Sequence, residues 1–145
     1  QGTDIRVAAE DATFGVTEVA RGLYPMSGST VRLRRQIPYC LAAEILLLGE
    51  HVSAAQALDF GLINRIVPKG ESLAEARRIA EKVCQNGPLA VKAVTRSLRE
   101  HQECMHEDEA MLASDSLANP VFASADAKEG MRAFKEKRKA VFTGE

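Results

Sequence analysis

Pro68 divides two kinds of sequence, and this division constrains the fold more than any other feature of the chain. Ahead of it, short strand-like and helical stretches alternate. Behind it come four amphipathic helical segments and no strand. A chain with this pattern is expected to build an α/β part over residues 1–68 and an all-helical part over residues 69–145. The helical part buries little against itself, so its apolar stripes want partners.

In the first part, Ile5-Arg6-Val7 alternates as a strand does, and Ala12-Thr13-Phe14 predicts a second after the Glu10-Asp11 turn. From Ser29 the period becomes helical. Pro38 suits a first helical turn, Leu41, Ile45 and Leu48 repeat on one face, and Gly49 ends the segment. Ser53 with Gln56 predicts a capping box for a short helix that Gly61 stops. Residues 62–67 read as a strand closed by Pro68. In the second part, Ser72 and Glu75 predict another capping box, with Leu73, Ala76, Ile79, Ala80 and Val83 along one face. Pro88 opens a helix carrying Val91, Val94 and Leu98. Residues 107–117 are a further candidate, and Ser124 caps a last helix where Ala127, Met131 and Phe134 share a face.

At 145 residues the chain can hold a modest core, and a net charge of −1 gives no footing for nucleic acid or a membrane surface as partner. No apolar run nears the roughly 20 residues that span a bilayer. The first residues show neither the basic leader nor the apolar stretch of a signal peptide. The cysteines are three, widely spaced, with no Cys-x-x-Cys and no paired histidines, so neither a metal site nor a disulfide framework is expected. Cys40 and Cys84 sit in helical apolar patterns and read as buried thiols of a reducing compartment, which points to the cytoplasm. His51, His101 and His106 read as isolated surface residues. Arg32, Arg34 and Arg35 cluster as a solvated face or a subunit contact.

Glu18 is the residue that carries chemistry. It follows the strand end Ala12-Thr13-Phe14-Gly15-Val16-Thr17 and precedes the turn Gly22-Leu23-Tyr24-Pro25. Locally, this fits a surface glutamate as well as a buried acid/base. The wider pattern decides between them. Phe14-Gly15-x-x-Glu18, then Gly22-Leu23-x-Pro25, then Gly28-Ser29-Thr30-Val31-Arg32-Leu33 resembles the crotonase family, specifically enoyl-CoA hydratases and isomerases. Leu48-Gly49-Glu50-His51-Val52-Ser53-Ala54-Ala55-Gln56-Ala57, Phe60-Gly61-Leu62-Ile63, Val67-Pro68 and Glu129-Gly130-Met131-Arg132-Ala133-Phe134-Lys135-Glu136-Lys137-Arg138 follow in the same order. Gly2-Thr3-Asp4-Ile5-Arg6-Val7 and Arg35-Gln36-Ile37-Pro38-Tyr39 look nearest to actinobacterial hydratases.

The resemblance implies an α/β fold: the C-terminal part of a crotonase-like spiral ββα core over 1–68, then a helical trimerisation region over 69–145. It implies an enoyl-CoA hydratase that adds water across the 2,3 double bond of a 2-enoyl-CoA, with coenzyme A carried by the substrate and no separate cofactor. Glu18 matches the glutamate that delivers the C2 proton. That role needs a carboxyl able to hold a proton near neutral pH, which apolar neighbours such as Phe14, Val16, Val19, Leu23 and Tyr24 would favour by desolvation. The first glutamate, its Gly-rich turn and the oxyanion donors are expected N-terminal to Gln1, so this chain alone is expected to be inactive. It needs that missing N-terminal half and assembles as a homotrimer or hexamer. An isomerase using Glu18 alone, or a catalytically silent member of the family, are the alternatives.

Two departures bear on the substrate. Met26 stands where a glycine is frequent, either reshaping the acyl pocket or filling the core, and Thr17 replaces a frequent proline. At the far end, Phe134 and Lys137, spaced i and i+3 on one helix, match positions where a neighbouring subunit reaches the adenine and phosphates of coenzyme A. Lys135, Arg138 and Lys139 read instead as a solvated basic helix end complementing the dipole.

Overall fold

A computed structural model describes residues 1–26, 28–100 and 107–145. Ser27, His101, Cys104 and His106 lie outside the described residues. The chain packs as two compact units, Gln1–Arg78 and Ile79–Glu145.

The first unit is organised by two small strand pairs. β1 (Val7–Ala9) and β4 (Arg65–Val67) are parallel, with Val7 opposite Arg65 and Ala9 opposite Val67. β2 (Thr13–Gly15) and β3 (His51–Ser53) are antiparallel, with Phe14 opposite Val52. Parallel strands need a long crossover, and three helices lie between β1 and β4 to supply it: α1 (Ser29–Gln36), α2 (Tyr39–Leu48) and α3 (Ala54–Asp59). Asn64 extends the β1–β4 ladder, its side chain accepting from the Arg6 N–H at 2.8 Å while its own N–H donates to the Arg6 carbonyl at 2.9 Å. Leu33, Ile37, Ala42, Ile45, Ala57 and Leu62 form the centre of the core, Leu33 only 1 % exposed.

The second unit is helical. α4 (Ser72–Val83) leads across the division, followed by α5 (Pro88–Glu100), α6 (Glu107–Ala123) and α7 (Ala125–Lys135). Among the described residues its buried side chains are few: Ser124, Asp126 and Ala133. Asp126 anchors the last residues, accepting from the Thr143 N–H at 2.7 Å and the Gly144 N–H at 3.0 Å. Val94, Leu98, Leu112, Phe122 and Met131 are all at least 58 % exposed, so the apolar stripes of the sequence are present but uncovered in the chain.

Several expectations are corrected. β1 begins at Val7, leaving Ile5 exposed, and β3 was not anticipated because His51-Val52-Ser53 offers a single apolar residue. The buried face of α2 runs through Ala42 and Ile45 to Gly49, so Leu48 points outward. The Ser53–Gln56 capping box forms in both directions. The one at Ser72 does not: Ser72 is already helical, and the Glu75 carboxylate is taken by Arg65 and Arg78. α6 runs past residue 117 through Pro120, which removes the helical donor to the Ser116 carbonyl without ending the helix. Cys40 and Cys84 are exposed, not buried. Cys40 shares the outer face of α2 with Glu44 and Leu47, and Cys84 lies just past the end of α4.

Candidate active site

Glu18 opens a single 3₁₀ turn, Glu18–Arg21, between β2 and α1. Three devices shape that turn. Its main chain closes through Leu23 N–H to Glu18 O and Gly22 N–H to Val19 O, each 3.0 Å. Arg21 reaches back one turn and donates to the Thr17 hydroxyl at 2.7 Å and the Thr17 carbonyl at 3.3 Å. On the other side the turn rests on the end of α2. Gly49, at φ +66°, has no Cβ, and one placed there would lie 3.0 Å from Val19 Cγ2 and 3.3 Å from Ala20 Cβ. A residue at Gly49 thus sets how closely Glu18 is drawn to the core. Arg21 went unrecognised in the sequence, and Thr17 and Gly49, noted there as a departure and a helix end, were not read as shaping this turn; the i, i+4 spacing of Thr17 and Arg21 was the available signal.

The Glu18 side chain is half-buried and has no hydrogen-bond or ion-pair partner among the described residues. Its expected apolar wall is only partly there. Val16 is buried and Phe14 and Val19 are half-buried, but Leu23 and Tyr24 are 60 % and 69 % exposed. Gly22 in the left-handed region turns the chain away after Arg21 and carries those two side chains outward. The Tyr24 hydroxyl lies 3.2 Å from the Thr30 hydroxyl, tying the loop to the first turn of α1. Phe14 lines a cavity of about 110 Å³ with Val16, Leu33 and Ile45. Met26 is 73 % exposed, so it does not fill the core, while the adjacent Pro25 is buried.

Comparison with known proteins bears on what such a site does. A model of a family described as "Enoyl-CoA hydratase/isomerase" matches residues 2–145. The chain belongs to the enoyl-CoA hydratase/isomerase family. It is 55 % identical over 138 residues to an enoyl-CoA hydratase of Mycobacterium tuberculosis, covering 95 % of this chain and 52 % of that protein. With the 2,3-dehydroadipyl-CoA hydratase of Escherichia coli it shares 37 % identity over 142 residues, 97 % of this chain and 55 % of that one. Its fold superposes on the crystal structure of another Mycobacterium tuberculosis enoyl-CoA hydratase with a TM-score of 0.92 at 41 % identity, covering 98 % of this chain and 56 % of that one. The fold is therefore a crotonase fold, and the chain spans about half the length of the curated relatives it matches.

The remaining residues expected at the site lie in the second unit. Phe134 is in the last turn of α7 and 87 % exposed. Lys137 lies beyond the end of that helix, at φ +53°, exposed and without an ion-pair partner among the described residues. The two therefore do not share one helix, as the sequence suggested. Arg138, expected as part of a solvated basic end, is instead engaged by Glu129 and Glu136. That pairing drives the Glu129 carboxyl well below the usual carboxylate range, first through Arg138 and then through Arg132 and the Val141 N–H.

Proposed function

We propose that the whole protein is an enoyl-CoA hydratase and that Glu18 delivers the proton to C2 of a 2-enoyl-CoA. The observation that supports this most is the Glu18 side chain itself: half-buried, without a partner among the described residues, and on a turn fastened at Thr17, Gly22 and Gly49. An acid/base group works best when the scaffold fixes its backbone and leaves its carboxyl to the substrate. Family membership supports hydration as the reaction this carboxyl would serve.

Hydration needs a base to activate water for attack at C3, an acid at C2, and donors for the oxygen on which enolate charge builds. Glu18 serves as the second of these. The first glutamate and the oxyanion N–H groups belong to protein outside this chain, which by itself is then inactive. Phe14 contributes to the apolar side of the site. Tyr24 and Met26 face the acyl group, Met26 narrowing the space where a glycine would leave it open. Phe134 and Lys137 meet the nucleotide end of coenzyme A, by stacking and by a point charge on phosphate, across a subunit boundary of a trimer or a pair of trimers in the cytoplasm. The substrate brings the only coenzyme.

The test uses the whole protein and its Glu18→Gln variant with a 2-enoyl-CoA, following product mass. The expected result is gain of one water by the parent and a rate lower by about 10²–10⁴-fold in the variant. Unchanged mass with a 2-enoyl-CoA, together with conversion of a 3-enoyl-CoA to its 2-enoyl isomer, would assign isomerisation instead. No turnover of either and no binding of acyl-CoA would mean a silent member of the family.

A further inference from the structure

Lys137 stands where a helix end asks for glycine. Among the described residues it is the one non-glycine with a positive φ, +53°. The hydrogen bonds there are those of a glycine-ended helix: Lys137 N–H donates to Phe134 O at 3.2 Å, and Arg138 N–H to Ala133 O at 3.0 Å. A Cβ in that conformation is strain that glycine would relieve, so something else must hold the backbone in place.

Glu129 does so. Its side chain is only 12 % exposed. Its carboxylate accepts both terminal nitrogens of Arg138, at 2.6 Å and 3.0 Å, and a terminal nitrogen of Arg132 at 2.5 Å. It also accepts the Val141 N–H at 3.1 Å. One carboxylate thus grips Arg138, directly after Lys137, and Val141, three places beyond it, and the forked geometry fixes direction as well as distance. Glu136 takes the Arg138 Nε–H at 2.6 Å. The charges on either side of Lys137 are therefore engaged with each other and leave its ammonium exposed.

We propose that Glu129 is a positioning residue, which by clamping Arg138 holds the Lys137 ammonium out to receive a phosphate of the coenzyme A nucleotide. This rests on the reading above that Phe134 and Lys137 meet that end of the substrate. Glu129 touches no substrate; it acts through the turn it closes.

The experiment compares, in the whole protein, a 2-enoyl-CoA with the same acyl group on pantetheine, which lacks the nucleotide. Glu129→Gln should lower the preference for the coenzyme A thioester by about fivefold, as expected for one exposed charge contact, with the loss falling on KM. In a Lys137→Ala background the same substitution should cost no further preference. An equal loss for both thioesters would mean that Glu129 only stabilises the fold, and would overturn the proposal. If Lys137→Ala leaves the preference intact, the reading of Lys137 fails and the proposal falls with it. If Lys137→Ala lowers it and Glu129→Gln does not, the positioning role alone is wrong. Should Glu129→Gln fail to fold, Arg138→Lys, which keeps the charge but loses the fork, must show the same selective loss.

Discussion

Gly49 joins two requirements at one Cα: a left-handed backbone to end α2 and an open side against Val19 and Ala20. Gly61 has the first requirement without the second, at φ +76° with nothing within 4 Å of a would-be Cβ. The pair isolates the contact. Gly49→Ala should destabilise by about 2–4 kcal/mol, from backbone strain plus overpacking, and Gly61→Ala by about 1–2 kcal/mol from strain alone. Chemical denaturation reads both, and equal losses would show that the turn carrying Glu18 does not depend on this contact. In the whole protein Gly49→Ala should also slow turnover, since it moves the turn. Among single residues, what the sequence made legible was chemical type. Glu18 could be placed before a turn, but its lack of a partner among the described residues depends on where Arg21 points, and Arg21 is spent on Thr17.

At the scale of elements, β4 is pinned to α4 through Glu75, which receives Arg65 from the strand and Arg78 from its own helix. Hydrogen bonds from Arg78 and then Arg65 hold its carboxyl down from an ordinary 4.5 to about 2. A carboxyl lowered by folding contributes stability above its unfolded value, and that contribution fades as pH falls through the folded one. Glu75→Gln should therefore be less stable than the parent at pH 7, with the gap closing between about pH 5 and pH 2. Denaturation midpoints across that range test this; a constant gap would count against the pairing. The same residue shows why one capping box was real and the other was not. Ser53 and Gln56 bond to each other in both directions, as their local spacing predicts. Glu75 has two arginines, one ten residues back in the chain, and the ion pairs win. α6 runs beyond the expected end at residue 117, because a helix tolerates the one donor missing at Pro120 where neighbouring turns carry it.

At the scale of the whole molecule, the apolar stripes of the helical unit define what it lacks. Leu98, Leu117, Val121 and Phe122 line a groove of about 380 Å³ between α5 and α6, and Phe122 is 76 % exposed. Monomers rarely leave such a surface open. The whole protein is expected to sediment as a trimer or hexamer, and Phe122→Glu to shift it toward smaller species; a parent that remains monomeric at micromolar concentration would reject this. The break in pattern at Pro68 was legible because period and turn residues are local quantities. Which faces become covered was not, since Leu48, Cys40 and Cys84 each looked apolar enough to be inside and are exposed. The parallel pairing of β1 with β4 has a further consequence, for the order of events in folding. Val7 meets Arg65 across nearly the whole first unit, a contact that forms only after a long loop has closed, whereas α5 and α6 join near neighbours in the chain. Loop closure of that length slows the search for native pairing. The helical unit is thus equipped to order quickly, and the unit that carries Glu18 sets the pace.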